Sequence, residues 1–150
     1  KFRSKLYVGT FGEGLFCSTN NGDSWERKES GLTNDTITSF TTTHGRMFAA
    51  THGGLFTSVT NGDSWVNCGL PATSFISYVT AVDSIILVGT WGEGIFRSSN
   101  LGYSWSRFNE GLDERYALRV GCLSANSNYL FVGFFGSSGI WRRPLDQIFQ

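Results

Sequence analysis

Ser18-Thr19-Asn20-Asn21-Gly22-Asp23-Ser24-Trp25 recurs as Ser58-Val59-Thr60-Asn61-Gly62-Asp63-Ser64-Trp65 and again as Ser98-Ser99-Asn100-Leu101-Gly102-Tyr103-Ser104-Trp105. The three tryptophans stand 40 residues apart. A fixed period of that size marks a chain built from stacked copies of one supersecondary unit. The phrase itself has the chemistry of a tight turn. Gly22, Gly62 and Gly102 supply the positive backbone angle that other residues resist. Asn20 and Asn100 can fold their side chains onto nearby backbone N–H groups, and Ser18, Ser58 and Ser98 offer hydroxyls to the same network. Trp25, Trp65 and Trp105 then enter the next strand, where each ring is expected to pack between sheets and remove about 150–250 Å² from water.

The copies extend beyond the phrase. Leu6–Thr10 leads to Gly14-Leu15-Phe16, Met47–Thr51 to Gly54-Leu55-Phe56, and Ile86–Thr90 to Gly94-Ile95-Phe96. A looser fourth copy runs from Leu130–Phe134 to Gly139-Ile140-Trp141. Between phrase and next copy lie Ile37–Thr42, Phe75–Thr80 and Tyr116–Cys122, rich in β-branched, aromatic or alternating residues. Short runs of this kind bounded by Gly, Asn, Asp and Ser read as strands. No window carries a sustained apolar stripe of helical period. Each period holds four strands, A to D in chain order. In the second copy these are Ile37–Thr43, Arg46–Thr51, Gly54–Ser58 and Ser64–Cys68. Four antiparallel strands per repeat predict an all-β fold, the β-propeller, whose radial stacking leaves only short edges. A two-sheet sandwich also uses short strands, but it has no reason to repeat one phrase at one interval. The expected organisation is one propeller segment, 1–150, with repeats at about 1–31, 32–70, 71–112 and 113–145.

These phrases resemble the Asp-box, Ser-x-Asp-x-Gly-x-x-Trp, of sialidase-type (BNR) repeats, and the blade pattern spans nearly the whole chain. The pattern differs at its third position, where Asn20, Thr60 and Asn100 replace aspartate. Asparagine supports the same turn, while Thr60 is expected to pin the second turn less well. The ending Gly139–Leu145 is similar to the last blade of secreted bacterial repeat proteins that carry a C-terminal sorting domain. That resemblance implies a secreted, periplasmic or cell-surface setting.

The first copy has no convincing A strand and the last no credible D strand. About three and a half blades are therefore expected, with 14 strands against the 16 of a four-bladed ring. The chain then reads as the C-terminal part of a larger propeller, or as a unit that a second chain completes. With no starting methionine or signal peptide, it reads as a processed or excised segment.

Composition narrows the partners. Apolar residues make up 40%, with 19 Gly and 13 Phe, ample for a core. The formal net charge is zero, so nothing points to nucleic acid. No apolar run reaches membrane-spanning length, and no membrane insertion is expected. Cys17, Cys68 and Cys122 read as free buried thiols, and neither they nor His44 and His52 form a metal motif. No metal and no cofactor are expected.

The B–C turns and D–A links fall on one face of the ring, the tryptophan phrases on the other. The first face carries a recurring ring at Phe11, His52, Trp91 and Phe135, with carboxylates at Glu13 and Glu93. The D–A links add Asp35, Asp113, Glu114 and Arg115. Rings beside carboxylates suit sugar stacking or a protein hot spot. The resemblance also implies an enzymatic alternative, a fragment of a glycoside hydrolase whose other groups lie in missing blades. A sialidase-like site needs an arginine cluster, a tyrosine nucleophile with a nearby glutamate, and an acid. Only Arg115 and Arg119 lie near an inner strand, and Glu13 and Glu93 sit at equivalent positions two blades apart. Asp-box repeats also occur in non-catalytic relatives, including sortilin-type receptors and photosystem assembly factors. The expected function is thus a non-catalytic scaffold or binding module for a protein or glycan, with no catalytic residue assigned.

Overall fold

The computed structural model describes residues 5–71, 73, 75–112, 119–136 and 139–149. Among them, fourteen strands form four antiparallel sheets. Blade 1 is β1 (Leu6–Gly9), β2 (Leu15–Ser18) and β3 (Glu26–Arg27). Blade 2 is β4 (Ile37–Thr43), β5 (Arg46–Thr51), β6 (Gly54–Ser58) and β7 (Val66–Asn67). Blade 3 repeats it as β8 (Ile76–Val82), β9 (Ile85–Thr90), β10 (Ile95–Ser98) and β11 (Ser106–Arg107). Blade 4 is β12 (Val120–Ala125), β13 (Tyr129–Phe134) and β14 (Ile140–Pro144). Within each sheet the strands follow in chain order, so every link is a hairpin. The first three strands of blade 2 keep the bounds that the sequence predicts. The D strands do not: only Val66 and Asn67 pair with β6, and Ser64 and Trp65 precede the ladder. Phe75 likewise stands before β8, not inside it. The inner strand of blade 4 starts at Val120, and 116–118 of the predicted strand lie outside the described residues.

Side chains alternate between two faces of each sheet, called front and rear here. Each blade's rear packs on the next blade's front. Tyr7, Leu15 and Cys17 of blade 1 meet Ile37, Met47, Ala49, Phe56 and Trp65 of blade 2. Phe48, Ala50 and Leu55 meet Ile76, Val79, Ile86, Val88 and Phe96 of blade 3. Ile85, Leu87 and Ile95 meet Val120, Leu123, Leu130 and Val132 of blade 4. There the chain ends in a short 3₁₀ turn, Leu145–Gln147. Leu145 and the fully buried Ile148 enter this last core, filling in for a D strand.

Hydroxyls fasten the inner strands. A bulge interrupts the A–B ladder after Ile37, Ile76 and Val120 alike. At the first, Thr38 Oγ1 donates to Ile76 O of the next blade at 2.9 Å. At the second, Ser77 Oγ reaches Val120 O in the same way. Gly9 and Gly89 leave room for the next blade's inner strand: an added Cβ would collide with Ile37 of β4 or Val120 of β12.

The tryptophan phrase folds as its composition predicts. Ser98 Oγ accepts Gly102 N–H at 2.8 Å and donates to Asn100 Oδ1 at 2.9 Å. Asn100 in turn takes Ser104 N–H at 2.9 Å. Ser18 and Asn20 repeat this arrangement. Thr60 reaches the same partners through its one oxygen, taking Ser64 N–H at 2.9 Å and facing Ser58 Oγ at 3.2 Å.

The three indoles share a turn but not an environment. Trp65 is 4% exposed, with no partner for Nε1 among the described residues. Trp105 packs half-buried and donates Nε1–H to Cys68 O at 3.1 Å. Trp25 is 42% exposed, against the expectation that all three pack between sheets. Each ring lies on its blade's front, and no described sheet stands before blade 1. The cysteines also differ from the expectation of burial: all are free, but only Cys17 is buried, Cys68 is partly covered and Cys122 is exposed. Burial pushes the Cys68 thiol up to about 12.

Candidate functional site

One rim is built from wide turns between the second and third strands. In Thr10–Gly14 the backbone is positive at Gly12 and Gly14, and in Thr90–Gly94 at Gly92 and Gly94. Each threonine closes its own loop. Thr10 Oγ1 donates to Gly14 O and takes Glu13 N–H, at 2.8 and 3.0 Å. Thr90 makes the same pair at 2.8 and 3.1 Å. The D–A link holds the rest of the first loop, where Gly12 and Gly14 N–H donate to Asp35 O at 3.2 and 2.8 Å, and the ring at the second position faces solvent. Phe11 is 79% exposed, and Trp91 and Phe135 about half exposed.

These rings meet across blades. Phe11 contacts His52 edge-on, with centroids 5.3 Å apart, and His52 lies 4.7 Å from Phe75. Trp91 stacks on Phe135 at 5.4 Å with planes 13° apart. The backbone joins the two groups, since Trp91 N–H donates to Phe75 O at 2.8 Å. The four rings expected on this rim are thus joined by a fifth, Phe75, which the sequence reading placed in a strand. Its position between a turn phrase and a repeat start is the only signal that could have moved it to the link. A cleft of about 220 Å³ lies behind His52, lined by Gly53, Asn67, Leu70 and Thr73 among others.

The two glutamates are not equivalent. Glu93 is 14% exposed and accepts Thr73 N–H at 2.6 Å, Thr73 Oγ1–H at 3.0 Å and Arg107 Nη2–H at 3.1 Å. It clamps the link before blade 3 to that blade's outer strand. Glu13 is exposed, and its carboxylate has no partner among the described residues. Asp35 pairs with Arg27 at 3.2 Å. Arg119 is exposed at the start of blade 4, bridging Trp91. Asp113, Glu114 and Arg115 lie outside the described residues. Among the described residues no His, Cys, Asp and Glu group is placed to hold a metal, and no helix is long and apolar enough to cross a membrane. The arrangement can stack flat apolar faces and accept hydrogen bonds beside them.

The opposite rim carries the tryptophan phrases and the polar ties between blades. Lys28 Nζ bridges Asp63 at 2.8 Å and Glu26 at 2.9 Å. The hydrogen bond to Asp63 holds the ammonium above its ordinary range, and the same bond holds the Asp63 carboxyl below its own. Tyr7 donates to Asn61 O at 2.9 Å, and burial raises its phenol. Arg46 Nη2 donates to Tyr103 Oη at 2.6 Å.

No protein-family model matches the chain, and no curated protein matches it in sequence. Solved structures do match its backbone. An ancestral GH74 enzyme superposes with a TM-score of 0.77 at 21% identity, over 93% of this chain but only 21% of its own length. The computationally designed Ika4 protein gives 0.73 at 12% identity, over 94% of this chain and 86% of the design. YCF48 bound to D1 peptide gives 0.60 at 13%, over 91% of this chain and 50% of its own. The chain thus spans about a fifth of the GH74 enzyme. What these likenesses carry is the fold: four radial antiparallel sheets, nearly all β, make this chain an arc of β-propeller blades.

Proposed function

We propose that this chain is a non-catalytic recognition module that takes an extended ligand, a glycan chain or a protein segment, along the row of rings on its B–C rim. The observation that carries this is the run Phe11–His52–Phe75 continued by Trp91–Phe135, one row supplied by all four blades. Exposed rings held by closed backbone loops lose little freedom on binding, and stacking onto them suits sugar faces and apolar side chains alike. Glu13 and Arg119 stand beside the row as the groups that orient a ligand's polar edge, while Glu93 holds the platform. YCF48, similar in fold, is a propeller that holds a peptide, which makes the peptide arm of the test necessary. The same reading assigns the tryptophan phrases to the Asp-box type. It keeps the repeats at 1–31, 32–70, 71–112 and 113–145, and it puts the chain in a secreted or surface setting.

A second reading, a piece of a glycoside hydrolase, is favoured by one feature: Glu13, a carboxylate with no partner among the described residues, beside an exposed ring. The GH74 likeness is the reason to test it. A glycan array, a peptide array and a fluorogenic glycoside panel on the purified chain separate the two. Saturable binding without turnover is expected, weakened about ten-fold, or ~1.4 kcal/mol, by Trp91→Ala. Turnover abolished by Glu13→Gln would replace the first reading with the second.

A further inference from the structure

Blade 1 and blade 4 each end in half of a junction that the chain completes elsewhere. On the front of blade 2, Met47, Ala49, Phe56 and Trp65 are all 4% exposed or less. Their counterparts on the front of blade 1, by strand register, are Leu6, Val8, Phe16 and Trp25. There Val8 is 45% and Trp25 42% exposed, although both side chains are largely apolar. The rear of blade 4 is the complementary case. Phe131 and Ile140 occupy the places of Phe48 and Leu55, and of Leu87 and Ile95, all of which are fully buried. Ile140 is instead 81% exposed.

The polar groups at the two ends match as well. At the internal junctions the blade behind supplies a partner to one fixed place in the next turn phrase. Lys28 reaches Asp63 there, and Arg46 reaches Tyr103. Asp23 holds that place in blade 1, exposed, with no side-chain partner among the described residues. On the rear of blade 4, Tyr129 takes the place of Arg46 and Arg142 that of Thr57, beside it. The exposed Arg142 guanidinium lies 4.9 Å from the centre of the Tyr129 ring. Among the described residues no cation faces Asp23, and Arg142 offers one at the other end of the chain.

The inner layer fits the same pairing. Thr38 and Ser77 donate to a carbonyl on the next blade's inner strand. Blade 1 has no such strand among the described residues, and blade 4 has Gly121 where the hydroxyl would be.

We infer that the front of blade 1 binds the rear of blade 4 of a second copy, with Arg142 on Asp23. The two faces differ, so the contact is heterologous, and it closes when two copies turn about the propeller axis. Four blades from each then make a ring of eight, within the known range of propellers. Both ends of both chains are covered by one kind of contact used twice.

Light scattering coupled to size exclusion tests this on the 150-residue chain. The expected mass is that of two chains. Asp23→Arg and Arg142→Asp each set like charges against each other and raise the dimer Kd at least ten-fold, while the double variant restores it. Ile140→Arg, at a position exposed in the monomer, splits the dimer while far-UV circular dichroism stays unchanged. A monomer at every concentration would overturn the inference and hand the blade 1 face to further blades of a longer chain or to another protein. Fibres, larger rings, or a dimer indifferent to the charge swap would overturn it too.

Discussion

Ser98 Oγ is buried, at 2% residue exposure, and holds its turn by three hydrogen bonds. Ser98→Ala removes an atom that accepts the Gly102 N–H at 2.8 Å, and Gly102 is itself buried. Water cannot readily replace the lost acceptor there. An N–H left unsatisfied in such a place costs about 1–3 kcal/mol. The weaker Asn100 N–H bond at 3.3 Å adds little, so a loss of about 2 kcal/mol is expected. At roughly 2–4 °C per kcal/mol for a chain of this size, Tm falls by about 4–8 °C. Ser104, in the same phrase, is the control. Its hydroxyl accepts Asn100 Nδ2–H at 2.8 Å but is exposed, so Ser104→Ala costs about 0.5 kcal/mol as water takes over. Urea unfolding followed by tryptophan fluorescence, with calorimetry for Tm, measures both. Ser98→Ala no worse than Ser104→Ala would refute the reasoning and mean that backbone preference alone shapes the turn.

Two further outcomes test the packing between blades. Gly89→Ala drives a methyl group into Val120 of blade 4, and should cost about 1–3 kcal/mol in the same urea assay. The Lys28–Asp63 pair gives a pH signature. Asp63 is depressed, so its contribution is present above the unfolded carboxylate range and lost as pH falls. Lys28 is raised, so its contribution is present below the unfolded ammonium range and lost as pH rises. Asp63 is more than half exposed, which holds the pair to about 0.2–1 kcal/mol. Tm of Asp63→Asn should accordingly trail the parent near neutral pH and converge with it in acid, and in high salt.

Much of the fold was legible because it is repeated. Serine, glycine and tryptophan at one spacing specify a turn through local chemistry, and local chemistry needs no neighbour to be read. The inner three strands of blade 2 followed for the same reason. The outer strands are shorter because the turn phrase runs through its tryptophan: Trp25, Trp65 and Trp105 all stand before the ladder, whether the ring is exposed or buried. The exposure of Trp25 was not legible in its phrase, since a similar phrase has a different fate when no described sheet stands in front of it. On the rim, the recurring rings could be read from their turns. The clamp role of Glu93 could not, because Thr73 lies 20 residues away on a link that no repeat marks. Phe75 was misplaced by its aromatic character, which suits a strand start as well as a rim.

Agreement between copies and departure from it carry different information. Positions that match in the first three blades, such as the buried Ser18, Ser58 and Ser98, serve the turn phrase those blades share, so they speak for the scaffold and for no ligand. Where copies differ, the scaffold's demand is already met and another cause must be sought. Glu93 beside Arg107, against a Glu13 with no partner among the described residues, is one such difference, and the half-exposed Trp25 against the buried Trp65 is another. The first separates a supporting carboxylate from one free to meet a ligand on the B–C rim. The second singles out the front of blade 1 as the face on which the inferred contact between copies rests. Those two departures lie on different faces, so ligand binding and ring closure can be lost separately: Trp91→Ala should leave the mass unchanged, and Asp23→Arg should leave the ring row intact.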